Sequence, residues 1–114
     1  MEIRYKTDVE KVAGLMHDSE FTGEDFRYSS NDKIFCMQTH IPNTNNGFVL
    51  TLYNVEKYTP LNLDKIEKGE AVGGVFDDIH VENQGLRLIL ISQDLRILLN
   101  LSKLDGKFEK TRVE

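Results

Sequence analysis

The chain has 114 residues, 39% of them hydrophobic and 29% charged, with a formal net charge of −5. That length predicts one domain, 1–114, with core enough to stand without metal or disulfide, and the single cysteine, Cys36, points to a reducing compartment, the cytoplasm. The acidic excess, with no basic cluster longer than two residues, disfavours nucleic acid, and no apolar run approaches the roughly 20 residues of a membrane helix.

Met1 to Lys6 lacks the apolar core of a signal peptide. Next, Val9, Val12, Ala13 and Met16 recur at helical spacing, which predicts an amphipathic helix over 8–16. Thr7 with Glu10 three residues later has the spacing of a capping box and reads as its start. From Ser19 the apolar period becomes two. Glu20 to Tyr28 reads as a strand broken at Thr22-Gly23, and Lys33 to Ile41 as a second strand after the polar turn Ser29–Asp32. Phe35, Met37, Thr39 and Ile41 lie on one side of that strand, and Ile34, Cys36, Gln38 and His40 on the other. After a loop over 42–47, Phe48 to Val55 is a third strand, so this part reads as an antiparallel meander.

Glu56 to Gly74 is the least regular stretch. Pro60 opposes helix before it, 62–68 has room for one helical turn, and Gly69, Gly73 and Gly74 then break the pattern. Val75 to Val81 reads as a short strand and Glu82–Gly85 as a turn. Leu86 to Ile91 and Leu95 to Lys103 are two strong strands, and Asp105-Gly106 is a tight hairpin signal returning Lys107 to Val113 as a charged edge strand. Leu88, Leu90, Ile97, Leu99 and Leu101 are the expected core of this half. Leu86, Leu88 and Leu90 alternate with Ile89 and Ile91, so the strand is apolar on both sides. One helix covers one sheet face at most. The fold class expected is therefore α+β: one N-terminal helix packed on a mostly antiparallel sheet that is strongly curved or sandwich-like.

The residues with chemical potential are few. His17-Asp18 comes directly after the helix, and a His-Asp pair serves as two metal ligands or as a base with its orienting carboxylate. The structural alternative puts His17 against the negative end of the helix dipole, with Asp18 and Ser19 bonding backbone amides in the turn. Asp77-Asp78-Ile79-His80 is the second candidate, and with His17, Asp18 and His40 it has metal-ligating residue types but no zinc or calcium spacing. Cys36, among apolar neighbours, reads as a small buried hydrophobe. Tyr53 and Tyr58, with Gln38, His40 and Thr51, read either as a semi-polar binding face or as a solvated one. There is no Gly-x-Ser-x-Gly elbow and no phosphate-binding glycine loop.

The run His17-Asp18-Ser19-Glu20-Phe21, then Phe26-Arg27-Tyr28, Phe48 to Val55, and Asp78-Ile79-His80-Val81 before Leu86 to Leu90, resembles small bacterial β-rich domains of unknown function that open with a His-Asp-Ser step, some of them similar to toxin-immunity proteins. The resemblance implies an antiparallel β fold and no catalytic residue. The expectation is a non-enzymatic, cytoplasmic protein-binding module of immunity or adaptor type, with a protein partner or a second copy, no cofactor, no metal, no nucleic acid and no membrane. Its binding residues would come from His17, Asp18, His40, Tyr53, Asp78 and His80. The competing expectation is a small enzyme or ligand-binding domain centred on His17, Asp18 and His80.

Overall fold

The computed structural model describes residues 1–62, 74–93 and 95–112. The expected helical turn at 62–68, together with Gly69, Gly73 and Asp94, therefore falls largely outside the described residues. The first element is a short strand, β1 (Glu2–Ile3), and the second is helix α1 (Lys6–Met16). The helix ends where the periodicity places its end and buries the expected stripe, Val9, Val12, Ala13 and Met16. Its start lies earlier than expected. Tyr5, not Thr7, is the N-cap, and Asp8 supplies the closing carboxylate: its Oδ2 accepts the backbone N–H groups of Tyr5 at 2.9 Å and Arg4 at 3.0 Å. Asp8 is nearer the unsatisfied donors than Glu10, so it competes better for them. These two bonds hold its carboxyl below the usual range.

The expected broken strand is two strands, β2 (Glu20–Phe21) and β3 (Phe26–Ser29), both on the same side of β4 (Ile34–His40). The break is a turn in which Asp25 accepts the Thr22 N–H on its side chain at 2.7 Å and donates its own N–H to the Thr22 carbonyl. β4 alternates as predicted: Phe35, Met37 and Thr39 are buried, while Ile34, Cys36, Gln38 and His40 are half-exposed. Cys36 is thus not a core residue; its sulfur lies 3.9 Å from the Thr51 hydroxyl on the outer face.

β5 (Asn46–Leu52) pairs with β4 as a hairpin and ends sooner than expected, because Asn54 takes a left-handed φ of 57° and turns the chain. The chain then enters a regular strand, β6 (Val55–Leu61), in the stretch expected to be irregular. Pro60 does not prevent it. β6 is the last strand of the sheet, and a residue without an N–H is tolerated at an edge. β7 (Gly74–Glu82), β8 (Arg87–Ser92) and β9 (Arg96–Leu101) run antiparallel side by side. Between β7 and β8, Asn83, Gln84 and Gly85 all have positive φ, and at Gly85 (φ 94°) an added Cβ would also meet the Leu104 side chain.

The Asp105-Gly106 hairpin does not form. β10 (Gly106–Arg112) pairs with β5, Gly106 standing opposite Leu52. Glycine is required there by proximity: a Cβ would come within 2.5 Å of the Thr51 carbonyl oxygen. The strand is not the edge strand expected: β1 pairs with its first two residues on the side away from β5 and is itself the edge.

The ten strands of the described residues form one sheet in the order β1-β10-β5-β4-β2-β7-β8-β9-β6, with β3 also on β4. The sheet is open and strongly curled, and α1 adds its apolar stripe to the core on the concave side, against β7. The curl brings far-edge β6 back to the β3–β4 turn. There Val55 N–H donates to the Lys33 carbonyl at 2.9 Å, the Tyr28 hydroxyl donates to the Val55 carbonyl at 2.6 Å, and Lys33 pairs with Glu56 at 2.9 Å. Tyr58 points inward, stacked on Tyr28 with ring centroids 5.2 Å apart, and so does not share the semi-polar face expected for it. The five residues Leu88, Leu90, Ile97, Leu99 and Leu101 are all core, each no more than 6% exposed.

Among the described residues, the two halves of the sheet are joined in the ladder by β2. Glu20 pairs with His40 on one side and Val75 on the other, and the Phe21 ring lies on Gly74, where a Cβ would fall 2.7 Å from the ring. Gly74→Ala is expected to destabilise the fold by about 1–3 kcal/mol through overpacking. Leu90→Ala is expected to cost about 2–5 kcal/mol as a core truncation. Urea titration with matched m-values measures both, and an unchanged midpoint for either variant contradicts the packing described.

Candidate functional site

The helix-to-sheet handover at 17–19 is pinned on β7. Asp18 adopts φ 67°, a conformation aspartate tolerates better than most residues, and its N–H donates to the Phe76 carbonyl at 2.9 Å. Phe76 N–H returns a bond to the Ser19 carbonyl at 2.8 Å, while the buried Ser19 hydroxyl donates to the Met16 carbonyl at the helix end, which also accepts the Ser19 N–H at 3.0 Å. Ser19 thus satisfies a carbonyl, not an amide as expected. The Asp18 carboxylate, also expected to bond an amide, instead stands 3.4 Å from His17 Nε2.

His17 Nδ1–H donates to the Asp77 carbonyl at 2.9 Å, with the Asp77 carboxylate at 3.5 Å. A register shift between Phe76 and Asp78 marks the same place on β7. Such an irregularity re-aims backbone groups away from the ladder, which leaves the Asp77 carbonyl free for the imidazole. The bond to that carbonyl raises the His17 pKa, helped by the charges of Asp18, Asp77 and Asp78. The side chain is 53% exposed, so water screens these pairs.

Beside it opens a cleft of about 420 Å³ between the Asp18 turn and the β8–β9 hairpin, lined by Asp18, Asp77, Ile91, Ser92, Gln93 and Arg96 among others. Arg96 Nη1 donates to the carbonyls of Ser92 at 2.6 Å and Leu95 at 3.1 Å, fastening the hairpin end. The cleft therefore has an acidic rim on the β7 side and a guanidinium already engaged by backbone on the other.

The other candidates lie elsewhere. His40, on the outer face of β4, has Asp25 at 3.9 Å. Tyr53 is in the turn after β5, its N–H donating to the Asp105 carbonyl. Asp78 and His80 project from the outer face of β7, both exposed, with the Asp78 carboxylate accepting the Ile79 N–H at 2.8 Å. The structure brings together His17, Asp18 and Asp77, and it does not bring His40, Tyr53 or His80 to them. Among the described residues no three His, Cys, Asp or Glu side chains converge as a metal-binding group, and no helix is long and apolar enough to cross a membrane. Asp77 was legible only as part of an acidic pair, and Ser92, Gln93 and Arg96 carry no sequence signal for a shared cleft. Comparison of the chain with family models, curated proteins and solved structures returns no match.

Because its folded pKa is raised, His17 stabilises the fold fully below its unfolded pKa of roughly 6.5, and the contribution is lost as pH rises through the folded value. His17→Ala should therefore lower the melting temperature more at pH 5.5 than at pH 8.5. Equal losses at both pH values would show that protonation of His17 is not coupled to folding.

Proposed function

We propose that the chain is a non-enzymatic protein-binding module of immunity or adaptor type, acting in the cytoplasm on a partner that presents a basic surface. The observation that carries this reading is the dispersal of its chemically capable residues. His17 with Asp18, His40, Tyr53, and the Asp78/His80 pair occupy separate places, whereas catalysis needs groups that converge on one reacting atom. What does converge is charge. Asp18 and Asp77 flank His17 at the mouth of an open cleft, and Asp78, next along β7, adds its charge, on a chain of net charge −5. A rim of that kind steers a basic partner and fixes its orientation, as masking a nucleic-acid-binding surface requires. The likeness of His17–Phe21 and the strands after it to immunity-type domains supports the same class.

The cleft itself favours a second reading, a small enzyme or ligand-binding domain using His17 and Asp18. Against it, His80, the third residue such a centre would use, stands on the outer face of β7 and not on the cleft.

Affinity capture from native lysate, then calorimetry with the identified and purified partner, tests the proposal. Asp77→Lys combined with Asp18→Asn, the latter chosen because asparagine tolerates the left-handed backbone, should weaken binding about tenfold or more at low salt and much less at high salt. A hydrolase or transferase activity lost in a fully folded His17→Ala or Asp18→Asn protein would replace this reading with the enzymatic one.

A further inference from the structure

The outer faces of β7, β8, β9 and β6 form a grid that the pairing register fixes. His80, Ile89, Leu98 and Thr59 stand side by side in its middle row. Their chain neighbours Ile79, Leu88, Leu90, Ile97 and Leu99 are buried on the concave side, so this row faces outward. Glu82, Arg87, Asn100 and Lys57 make the row on one side of it. On the other side Ile91 and Arg96 lie between Asp78 and Leu61. Ile89, Leu98 and Ile91 are half-buried, and Leu61 is 45% exposed. The middle of the face is apolar. Its acids are on β7 and its bases on β8, β9 and β6.

We propose that this face is a self-association surface, on which a second copy of the chain sits about a twofold axis running along the β8–β9 seam. Sheets pack face to face with their strands nearly aligned, which leaves two simple twofold arrangements. An axis across the strands sets β7 on β7 and brings Asp78 against Glu82 of the second copy, two like charges. An axis along the strands sets β7 over β6 and β8 over β9. Ile89 then meets Leu98 of the second copy, and Glu82 meets Lys57. Within one chain Glu82 has the exposed Arg87 at 3.5 Å and is held apart from Lys57 by two intervening strands, so the Glu82–Lys57 attraction is added only between copies. Four strands and five residues along each give a patch of about 20 Å on a side with its side chains, roughly 800 Å² over the two copies, below standard stable interfaces and in the weak, transient class. The dimer is therefore weak and concentration-dependent.

The inference does not rest on the basic partner proposed for the Asp18–Asp77 rim, although Ile91 and Arg96 belong both to this face and to the cleft beside that rim. Sedimentation velocity on the full chain, from micromolar to near-millimolar, should show the weight-average mass rising from monomer towards dimer. Leu98→Glu should abolish that rise, with unchanged far-ultraviolet dichroism. Glu82→Lys and Lys57→Glu, both at surface positions, should each weaken association by about tenfold or more, and the double exchange should restore it. A wild-type chain that stays monomeric at the highest concentration overturns the proposal, as does a dimer that survives Leu98→Glu or a double exchange no tighter than the single variants. Loss of self-association in Leu98→Glu with partner binding retained separates this face from the acidic rim.

Discussion

Among the described residues a sheet of ten strands with one eleven-residue helix has far more apolar surface than that helix can cover, and this mismatch shapes the molecule. Burial of apolar area is the main favourable term in folding, so the inner face of the sheet has to find cover somewhere. The sheet supplies it by curling, and Phe35, Met37, Leu50 and Leu52 from one half meet Leu88, Leu90, Ile97 and Leu99 from the other in a single core. The curl is held at its lip, where β6 meets the β3–β4 turn through the Val55 amide, the Tyr28 hydroxyl and the stacked pair Tyr28/Tyr58. The Lys33–Glu56 ion pair there is exposed and adds little by comparison.

The same geometry explains where the candidate site falls. The two halves of the sheet join through two residues of β2, and β2 comes directly after the helix. The short link from Met16 to Glu20 therefore fastens helix, β2 and β7 at one point, through reciprocal bonds between Ser19, Asp18 and Phe76. His17 and Asp18 are exposed beside that fastening and meet Asp77 because β7 is irregular there. A structural tie and an acidic rim occupy the same few residues. The stability effect of His17 is separable from any binding effect because it alone tracks the protonation of the imidazole.

Curling buries one face of each strand and leaves the other outside. On β8 this divides Leu88 and Leu90, in the core, from Ile89 and Ile91, on the convex surface, although the sequence makes both sides apolar. A strand apolar on both sides is expected where both sides are covered. Among the described residues nothing packs on the convex apolar row from outside the sheet, although the composition of β8 leads one to expect cover there.

The local features were legible in the sequence. Val9, Val12, Ala13 and Met16 have helical spacing, Phe35, Met37 and Thr39 alternate with Ile34, Cys36 and Gln38, and Asn83-Gln84-Gly85 carries turn chemistry; each is set by contacts within a few residues, and the structure has each where it is expected. Neighbours were not legible. Asp105-Gly106 has the composition of a hairpin turn, yet β10 pairs with β5, some sixty residues earlier, and not with β9. Pro60 opposes helix, and the chain there is a strand, but nothing local places that strand at the sheet edge, where a missing N–H is tolerated. His17 and Asp77 are 60 residues apart, and no pattern in either neighbourhood records that they touch. Periodicity states which side of an element is apolar, because that depends on the element alone. Which strand lies beside it, and which polar groups are thereby brought together, depends on long-range pairing among many alternatives of similar local merit, and only the curl of the whole sheet selects one.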